Sequence, residues 1–122
     1  MSDINELVTR YLATWNEPDA EKRRAEIEEL WAADAPYIDP LAAVEGHDGV
    51  AAVISAARDQ FPGFRFKLLG DPDSHHNVAR FRWGLVPESG GEPVAIGFDV
   101  AVTDDDGRLK GVYGFLDLVP GS

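Results

Sequence analysis

The sequence of 122 residues contains no cysteine. This absence excludes disulfide bonds, thiolate catalysis and the zinc or iron–sulfur sites that depend on cysteine ligands. It is also typical of proteins from a reducing compartment, so we expect a cytoplasmic localisation.

Basic residues are few. Lysine and arginine together number 11 against 22 aspartate and glutamate residues, which gives a net charge of -11. A surface this acidic repels the phosphate backbone of DNA and RNA. We therefore expect no nucleic-acid partner.

Long hydrophobic runs are also missing. A membrane-spanning helix needs about 18 or more consecutive apolar residues, and no stretch of this chain has them. Residues 1–6 lack the basic flank and the apolar run of a secretory signal peptide. The sequence thus predicts no membrane association, and its length fits one domain over residues 1–122.

Apolar residues in the first half recur at three- and four-residue steps, the spacing of amphipathic helices. The first predicted helix has Asp3 and Glu6 as a capping box, and Asp19 caps the second. The third begins near residues 46–49, where His47 is interpreted as part of the cap, and residues 62–63 end it. The apolar positions of the three helices are Ile4, Leu7, Val8, Tyr11, Leu12 and Trp15; Ile27, Leu30 and Trp31; and Val50, Val53, Ile54, Ala57 and Phe61.

After residue 63 the apolar period changes to two, which indicates strands. Strands are predicted at residues 64–68, 78–86, 94–103 and 109–119, with turns at 71–74, 89–91 and 104–107. Three helices followed by consecutive antiparallel strands predict an α+β fold with the helices on one face of the sheet.

Asp39 is the first candidate catalytic residue. Pro36 and Pro40 disfavour helix in the residues before them, so residues 37–39 should form a short extended segment. Alternation then places Tyr37 and Asp39 on the same side, with Ile38 on the other. A carboxylate among apolar neighbours is a stronger base than one in water.

Asp99 is the second candidate. Alternation along its strand places it with the small residues Ala95, Gly97 and Ala101, and places the bulky apolar residues on the opposite face. Small neighbours leave room for a ligand; the alternative is a solvent-exposed face with a merely solvated Asp99. If the small face lines a pocket, the bulky apolar face must be covered by something other than the helices. A second copy of the chain is the simplest cover, so we expect a homodimer.

For the remaining candidate site residues, the sequence favours structural roles. His75 and His76 lie near a predicted turn and are interpreted as solvated rather than catalytic. No histidine pair has the spacing of helical metal ligands, so no metal is expected. Phe81 and Trp83 share one strand face, which packs in the core or forms a platform for a ligand.

Three stretches resemble the nuclear-transport-factor-2-like superfamily in its SnoaL-like branch: residues 9–16 (TRYLATWN), 30–40 (LWAADAPYIDP) and 98–109 (FDVAVTDDDGRL). The resemblance covers nearly the whole chain. It implies a cone-shaped fold of three N-terminal helices packed on a strongly curved antiparallel β-sheet. It also implies a pocket for a small hydrophobic ligand.

The closest mechanistic resemblance within that superfamily is to ketosteroid isomerase, which uses carboxylates tuned apart by their environments. By this resemblance, Asp39 is the general base, and Tyr11 and a protonated Asp99 donate hydrogen bonds to the oxygen that becomes an enolate. The expected pocket lining is Trp15, Tyr37, Phe81, Trp83 and Phe115. No cofactor is implied.

Two functions remain open. The chain is either a cofactor-independent isomerase, cyclase or dehydratase that moves a proton next to a carbonyl group, or a non-catalytic protein that binds a hydrophobic small molecule. The epoxide hydrolases of the superfamily need an arginine and an aspartate alternating on one strand. Arg80 and Arg82 are followed by Gly84, so that pattern is missing.

Overall fold

The computed structural model describes residues 4–120. Its three helices are α1 (Ile4–Asn16), α2 (Ala20–Leu30) and α3 (Gly46–Gln60). All three predicted helices are confirmed. Asp3, half of the predicted capping box, lies outside the described residues.

The cap predicted for α2 is confirmed, whereas the cap predicted for α3 is wrong. The carboxylate of Asp19 accepts hydrogen bonds from the backbone amides of Glu21 and Lys22, as predicted for the cap of α2. At α3 the cap residue is Glu45, without a side-chain hydrogen bond. The predicted capping role of His47 is wrong, because its Nε2 atom lies 2.9 Å from the carbonyl oxygen of Trp31 and connects the start of α3 to the end of α2.

Six strands form one sheet: β1 (Pro36–Ile38), β2 (Ala43–Glu45), β3 (Phe64–His75), β4 (Val78–Pro87), β5 (Ala95–Thr103) and β6 (Leu109–Leu118). Their order is β2-β1-β6-β5-β4-β3. The sheet is mixed and not purely antiparallel as predicted, because β1 runs parallel to β6 at Tyr37 and Ile38. The α+β class is confirmed, whereas β2 was not predicted.

Strand β3 continues through residues 71–74, which were predicted to form a turn. The composition of Asp71, Pro72, Asp73 and Ser74 is typical of a turn, but β3 is an edge strand, where proline removes no hydrogen bond from a central ladder. The register against β4 shifts between Leu69 and Asp73, so this stretch forms an irregularity in the strand.

The two faces of β5 have the environments that decide between the interpretations of Asp99. Its small face is buried against the helices, and Asp99 is only 3% exposed. The interpretation of Asp99 as a solvated surface residue is therefore wrong. The opposite face of the sheet carries exposed apolar side chains, including Ile38, Tyr113 and Phe115.

None of the helices among residues 4–120 is long and apolar enough to span a membrane.

Candidate functional site

A cavity of about 480 Å³ lies between the helices and the inner face of the sheet. Its walls are mostly apolar, and no lysine, arginine or histidine is among the described residues that line it. Two acidic residues, Asp39 and Asp99, line the cavity. The lining residues include Leu12, Val53, Ala56, Ala57, Phe61, Phe66, Leu85, Ala95 and Leu116, with the exposed Leu41 and Val119.

Asp99 is held in the centre of the sheet by donors from a helix and a strand. The hydroxyl of Tyr11, on α1, donates a hydrogen bond to Oδ2 of Asp99 over 3.0 Å. The indole N–H of Trp83, on β4, faces the same carboxylate and stabilises its charge. The structure thus brings together two residues, Tyr11 and Asp99, that the sequence separates by 88 positions.

Burial controls the protonation of this pair. It raises the pKa of Asp99 to about 6; the nearby indole N–H of Trp83 and the hydrogen bond from Tyr11 oppose part of that rise, and the charge of Asp39 adds to it. Burial, followed by the charge of Asp99, also holds the pKa of Tyr11 well above its ordinary value. Tyr11 is therefore a neutral hydrogen-bond donor at physiological pH, and Asp99 changes its charge close to that pH.

Asp39 has a different set of partners. The hydroxyl of Tyr37 donates to its Oδ2 atom over 2.7 Å. Its Oδ1 atom accepts hydrogen bonds of 2.8 Å from the backbone amides of Leu41 and Ala42. This confirms that Tyr37 and Asp39 share a side. Burial, the charge of Asp99 and the bond to Asp39 raise the pKa of Tyr37, which keeps it protonated as a donor.

Two glycines make room for these side chains. Gly114, on β6, is directly opposite Asp99. A Cβ atom at Gly114 would lie 2.7 Å from Oδ1 of Asp99 and 3.3 Å from Cβ of Asp39, so this empty position separates the two acids. Gly97 is opposite Trp83, and a Cβ there would overlap the indole ring.

The predicted lining residues are found in three different places. Trp15, Tyr37 and Trp83 line the cavity. Phe81 is buried in the core next to Tyr11, with ring centroids 5.6 Å apart, and it is not among the lining residues. The prediction that Phe115 lines the pocket is wrong: it is 58% exposed on the outer face, because Gly114 and Leu116 occupy the inward positions of β6.

The roles of both glycines and of α3 in the site could not be predicted from the sequence. Gly97 belongs to the small residues of β5, and nothing in one sequence shows which side chain crosses above it. The α3 residues Val53 and Ala57 belong to its predicted apolar stripe. Their spacing predicts a buried face but does not distinguish a packed core from a cavity wall.

The histidines take no part in the site. His75 and His76 are exposed at the hairpin between β3 and β4, as predicted for solvated turn residues. Within residues 4–120, no group of three histidine, aspartate or glutamate side chains is arranged to hold a metal ion.

The fold and the cavity define a class: small α+β proteins in which three helices and a sheet enclose an apolar cavity. Residues 8–112 match the family model of the SnoaL-like domain. The chain belongs to this family, which has the nuclear-transport-factor-2-like fold.

Solved structures agree with this assignment. A candidate isomerase of the SnoaL-like family from Agrobacterium tumefaciens is 47% identical, with a TM-score of 0.87 over 92% of this chain and 95% of the other. A candidate polyketide cyclase from Sinorhizobium meliloti is 18% identical, with a TM-score of 0.69 over 89% and 93%.

A more distant structure shares the fold alone. It is a protein of ketosteroid isomerase-like fold from Catenulispora acidiphila, in complex with trimethylamine, and it is 14% identical, with a TM-score of 0.69 over 89% and 83%. A comparison with curated proteins finds no match.

Proposed function

We propose that the cavity binds a small, neutral, hydrophobic carbonyl compound and that the protein moves a proton on the carbon next to the carbonyl group. The observation that carries this proposal is the pair of acids in one apolar cavity, each with a different set of partners. Asp99 is paired with Tyr11, and Asp39 with Tyr37 and two backbone amides.

In the proposed reaction, Asp39 takes a proton from the carbon beside the carbonyl group. The electron pair of that C–H bond moves toward the carbonyl oxygen and forms an enolate. Asp39 then returns the proton to the same carbon or, in a conjugated substrate, to another carbon. Each carboxylate oxygen can accept two hydrogen bonds, so the bond from Tyr37 leaves capacity on Oδ2 of Asp39.

Tyr11 and Asp99 stabilise the developing negative charge as hydrogen-bond donors. Tyr11 is a donor in the free protein, where its hydroxyl already points at Asp99. Asp99 must carry a proton to donate, and its pKa of about 6 makes that proton accessible near neutral pH. An enolate bound beside Asp99 would raise this pKa further, since like charges repel.

The chain also supports a second candidate function, a non-catalytic carrier of a hydrophobic molecule. Three hydrogen bonds already connect Asp39 to Tyr37, Leu41 and Ala42, which is what a purely structural aspartate in a turn requires. In that case both acids would only fix the ligand and the loop.

Hydrogen–deuterium exchange on 1-tetralone, followed by proton NMR in D₂O, separates the two functions. A catalyst accelerates the exchange of the protons beside the carbonyl group. Asp39→Asn should lower the accelerated rate by about 100-fold or more, the usual contribution of a general base. Its remaining side-chain oxygen can still accept from the two backbone amides, which protects the fold. Exchange at the uncatalysed rate with the wild-type protein would rule out the catalytic proposal.

Binding of a nitro-substituted naphthol tests the donors separately, because the neutral and anionic forms of this enolate analogue absorb at different wavelengths. We expect it to bind as the anion to the wild type and to Asp39→Asn. Tyr11→Phe and Asp99→Ala should each weaken binding by about tenfold or more. Binding that ignores both substitutions would remove Tyr11 and Asp99 from the mechanism.

We also propose a homodimer through the outer face of the sheet. Ile38, Tyr113 and Val100 form one apolar row across three strands, and Phe98 and Phe115 form a second, with ring centroids 6.4 Å apart. Arg82 and Asp117 lie 3.8 Å apart on the same face. An apolar surface flanked by one positive and one negative side chain can be complementary to the same surface of a second copy of the chain.

A further inference from the structure

The two oxygens of the Asp39 carboxylate differ in the hydrogen bonds that they accept. Oδ1 accepts from the backbone amides of Leu41 and Ala42, both over 2.8 Å, whereas Oδ2 accepts from the hydroxyl of Tyr37 over 2.7 Å. Because a carboxylate oxygen accepts about two hydrogen bonds, Oδ1 is filled and Oδ2 keeps one lone pair. Oδ2 is therefore the atom of Asp39 that has capacity for a proton.

The loop that follows β1 does not need the bond from Tyr37. An aspartate that begins a turn accepts from backbone amides a few residues on, and Oδ1 of Asp39 already does so. The backbone amide of Asp39 also donates to the carbonyl oxygen of Ala42 over 2.9 Å, which closes the same loop. The hydroxyl of Tyr37 comes from β1 and acts on the other oxygen. It fixes the carboxylate at a second point that the loop alone does not require.

Tyr37 is itself held firmly in place. Its backbone is paired with Val44 on β2 and with Val112 on β6. Its ring packs on Trp15 and Trp31, with centroids 5.8 Å and 6.4 Å away, and the residue is 3% exposed. A donor held from both sides of its strand can keep the carboxylate oxygen that it binds in a constant position.

The groups around this bond give the Tyr37 hydroxyl a second effect. Tyr37 and Asp39 both line the cavity, where the other titratable groups are Asp99 from β5 and Tyr11 from α1. The β6 residue beside Asp39 is Gly114, which does not titrate. No cation is among the described residues that line the cavity. Within the cavity, the charge of Asp39 is thus stabilised by hydrogen-bond donors, and a donor to the ionised form favours ionisation.

We infer that Tyr37 is a positioning residue of the proposed reaction: its hydroxyl fixes the Asp39 carboxylate so that Oδ2 takes the proton from the carbon beside the carbonyl group. The proton moves from that carbon to the free lone pair of Oδ2, and the electron pair of the C–H bond forms the enolate. Tyr37 keeps its own proton throughout. This inference rests on the proposed function and assigns one accepting atom and one orienting partner to its base.

The test uses Tyr37→Phe, which removes the hydroxyl and keeps the ring with its contacts. Carbon-13 NMR of the side-chain carboxyl groups follows the titration of Asp39, and Asp39→Asn assigns its signal. Loss of a hydrogen bond to the ionised form favours the protonated form, so the midpoint should move to higher pH by about one unit. Tyr113→Phe is the matched control, because this tyrosine is exposed on the outer face, and it should leave the midpoint in place.

Kinetics of the 1-tetralone exchange give the second readout. A misplaced base slows the chemical step more than it weakens binding, so Tyr37→Phe should lower kcat about tenfold or more and change KM much less. Tyr113→Phe should keep both constants. A wild-type midpoint of Asp39 in Tyr37→Phe would overturn the inference, even with a lower kcat, because a tyrosine that only fills space does not affect the titration of Asp39.

Failure of this inference differs from failure of the proposed function. If the wild type accelerates the exchange and Tyr37→Phe keeps its kcat, only the role of Tyr37 is wrong. If the wild type does not accelerate the exchange, the proposed function is wrong and Tyr37 positions no base. A moved midpoint would then still show that Tyr37 controls the charge of Asp39 in a binding site.

Discussion

Asp99 and Gly114 are directly opposite each other on neighbouring antiparallel strands, and the carboxylate of Asp99 lies above the glycine where any other residue would place its Cβ atom. Asp39 borders the same space from the end of β1. The missing side chain at Gly114 is therefore part of the site, because it allows two acids from different segments to approach one cavity.

Gly114→Ala should damage the site more than the fold. The added methyl group would lie 2.7 Å from Oδ1 of Asp99, so the carboxylate must shift from the position in which it accepts a hydrogen bond from Tyr11. Overpacking of this kind costs about 1–3 kcal/mol in the free energy of unfolding, measured by urea denaturation. We also expect the affinity for the nitronaphthol to fall about tenfold or more.

The control for this prediction is Gly111→Ala, on the same strand. Its Cβ would meet the far end of Tyr113, an exposed side chain that can move. Gly111→Ala should keep the wild-type affinity for the naphthol. An unchanged affinity in Gly114→Ala would show that the space opposite Asp99 has no importance for binding.

Asp99 should make the stability of the protein depend on pH. Its pKa is about 6 in the folded protein and near 3.8 in the unfolded chain, so the folded state binds more protons between these values. Stability therefore falls as pH rises from about 3 to 7, through both pKa values, and loses nothing more from this group above that range. The full difference is about 3 kcal/mol.

Asp99→Asn removes this effect, since asparagine does not titrate. The difference in the free energy of unfolding between the variant and the wild type should shift in favour of the variant by about 2 kcal/mol from pH 4 to pH 7. Urea denaturation at several pH values measures it. A difference that stays constant over this range would mean that burial does not disfavour the charge of Asp99.

Phe115→Lys should dissociate the proposed dimer. Phe115 is 58% exposed in the single chain, so a lysine there leaves the core untouched, but it would place a charge in the centre of the apolar face. Light scattering after size-exclusion chromatography gives the mass. The matched control is Glu21→Gln, which also changes the net charge by one, on the exposed surface of α2. A wild type that is monomeric at high concentration would contradict the proposal.

The local pattern of the sequence was enough to predict the helices and the inward face of β5. The apolar residues of α1 recur with the period of a helix and therefore mark a single buried side, so Tyr11 and Trp15 could be assigned to the core face. The small residues around Asp99 likewise indicated a pocket, because burial of an acid needs space and partners.

Pairing between distant segments could not be predicted. The strands β1 and β2 have three residues each, which is too short for a periodic signal, and the parallel contact of β1 with β6 depends on two residue pairs. The pattern around Asp71 and Pro72 indicated a turn because composition does not tell an edge strand from a loop.

Where both faces of a strand are apolar, the sequence also could not show which residues point inward. On β6, Phe115 and Leu116 are both apolar, and only the tertiary structure shows that Leu116 faces the cavity while Phe115 faces outward. The small size of Gly114 was the available signal, but glycine also occurs at bulges and turns. Its role could be recognised only with Asp99 opposite it.

The parallel pairing of β1 with β6 has a consequence for the order of events during synthesis. Strand β1 leads into the loop of Asp39, yet its parallel partner is the last of the six strands that the ribosome makes. The bond from Tyr11 to Asp99 likewise closes a loop of 88 positions. Contacts of such long range form late, because the chain entropy lost in closing the loop is not offset until the rest of the sheet has assembled. A nascent chain that still lacks β6 has both acids, but it lacks the parallel partner of β1 and the part of the cavity wall that Leu116 and the residues after it form.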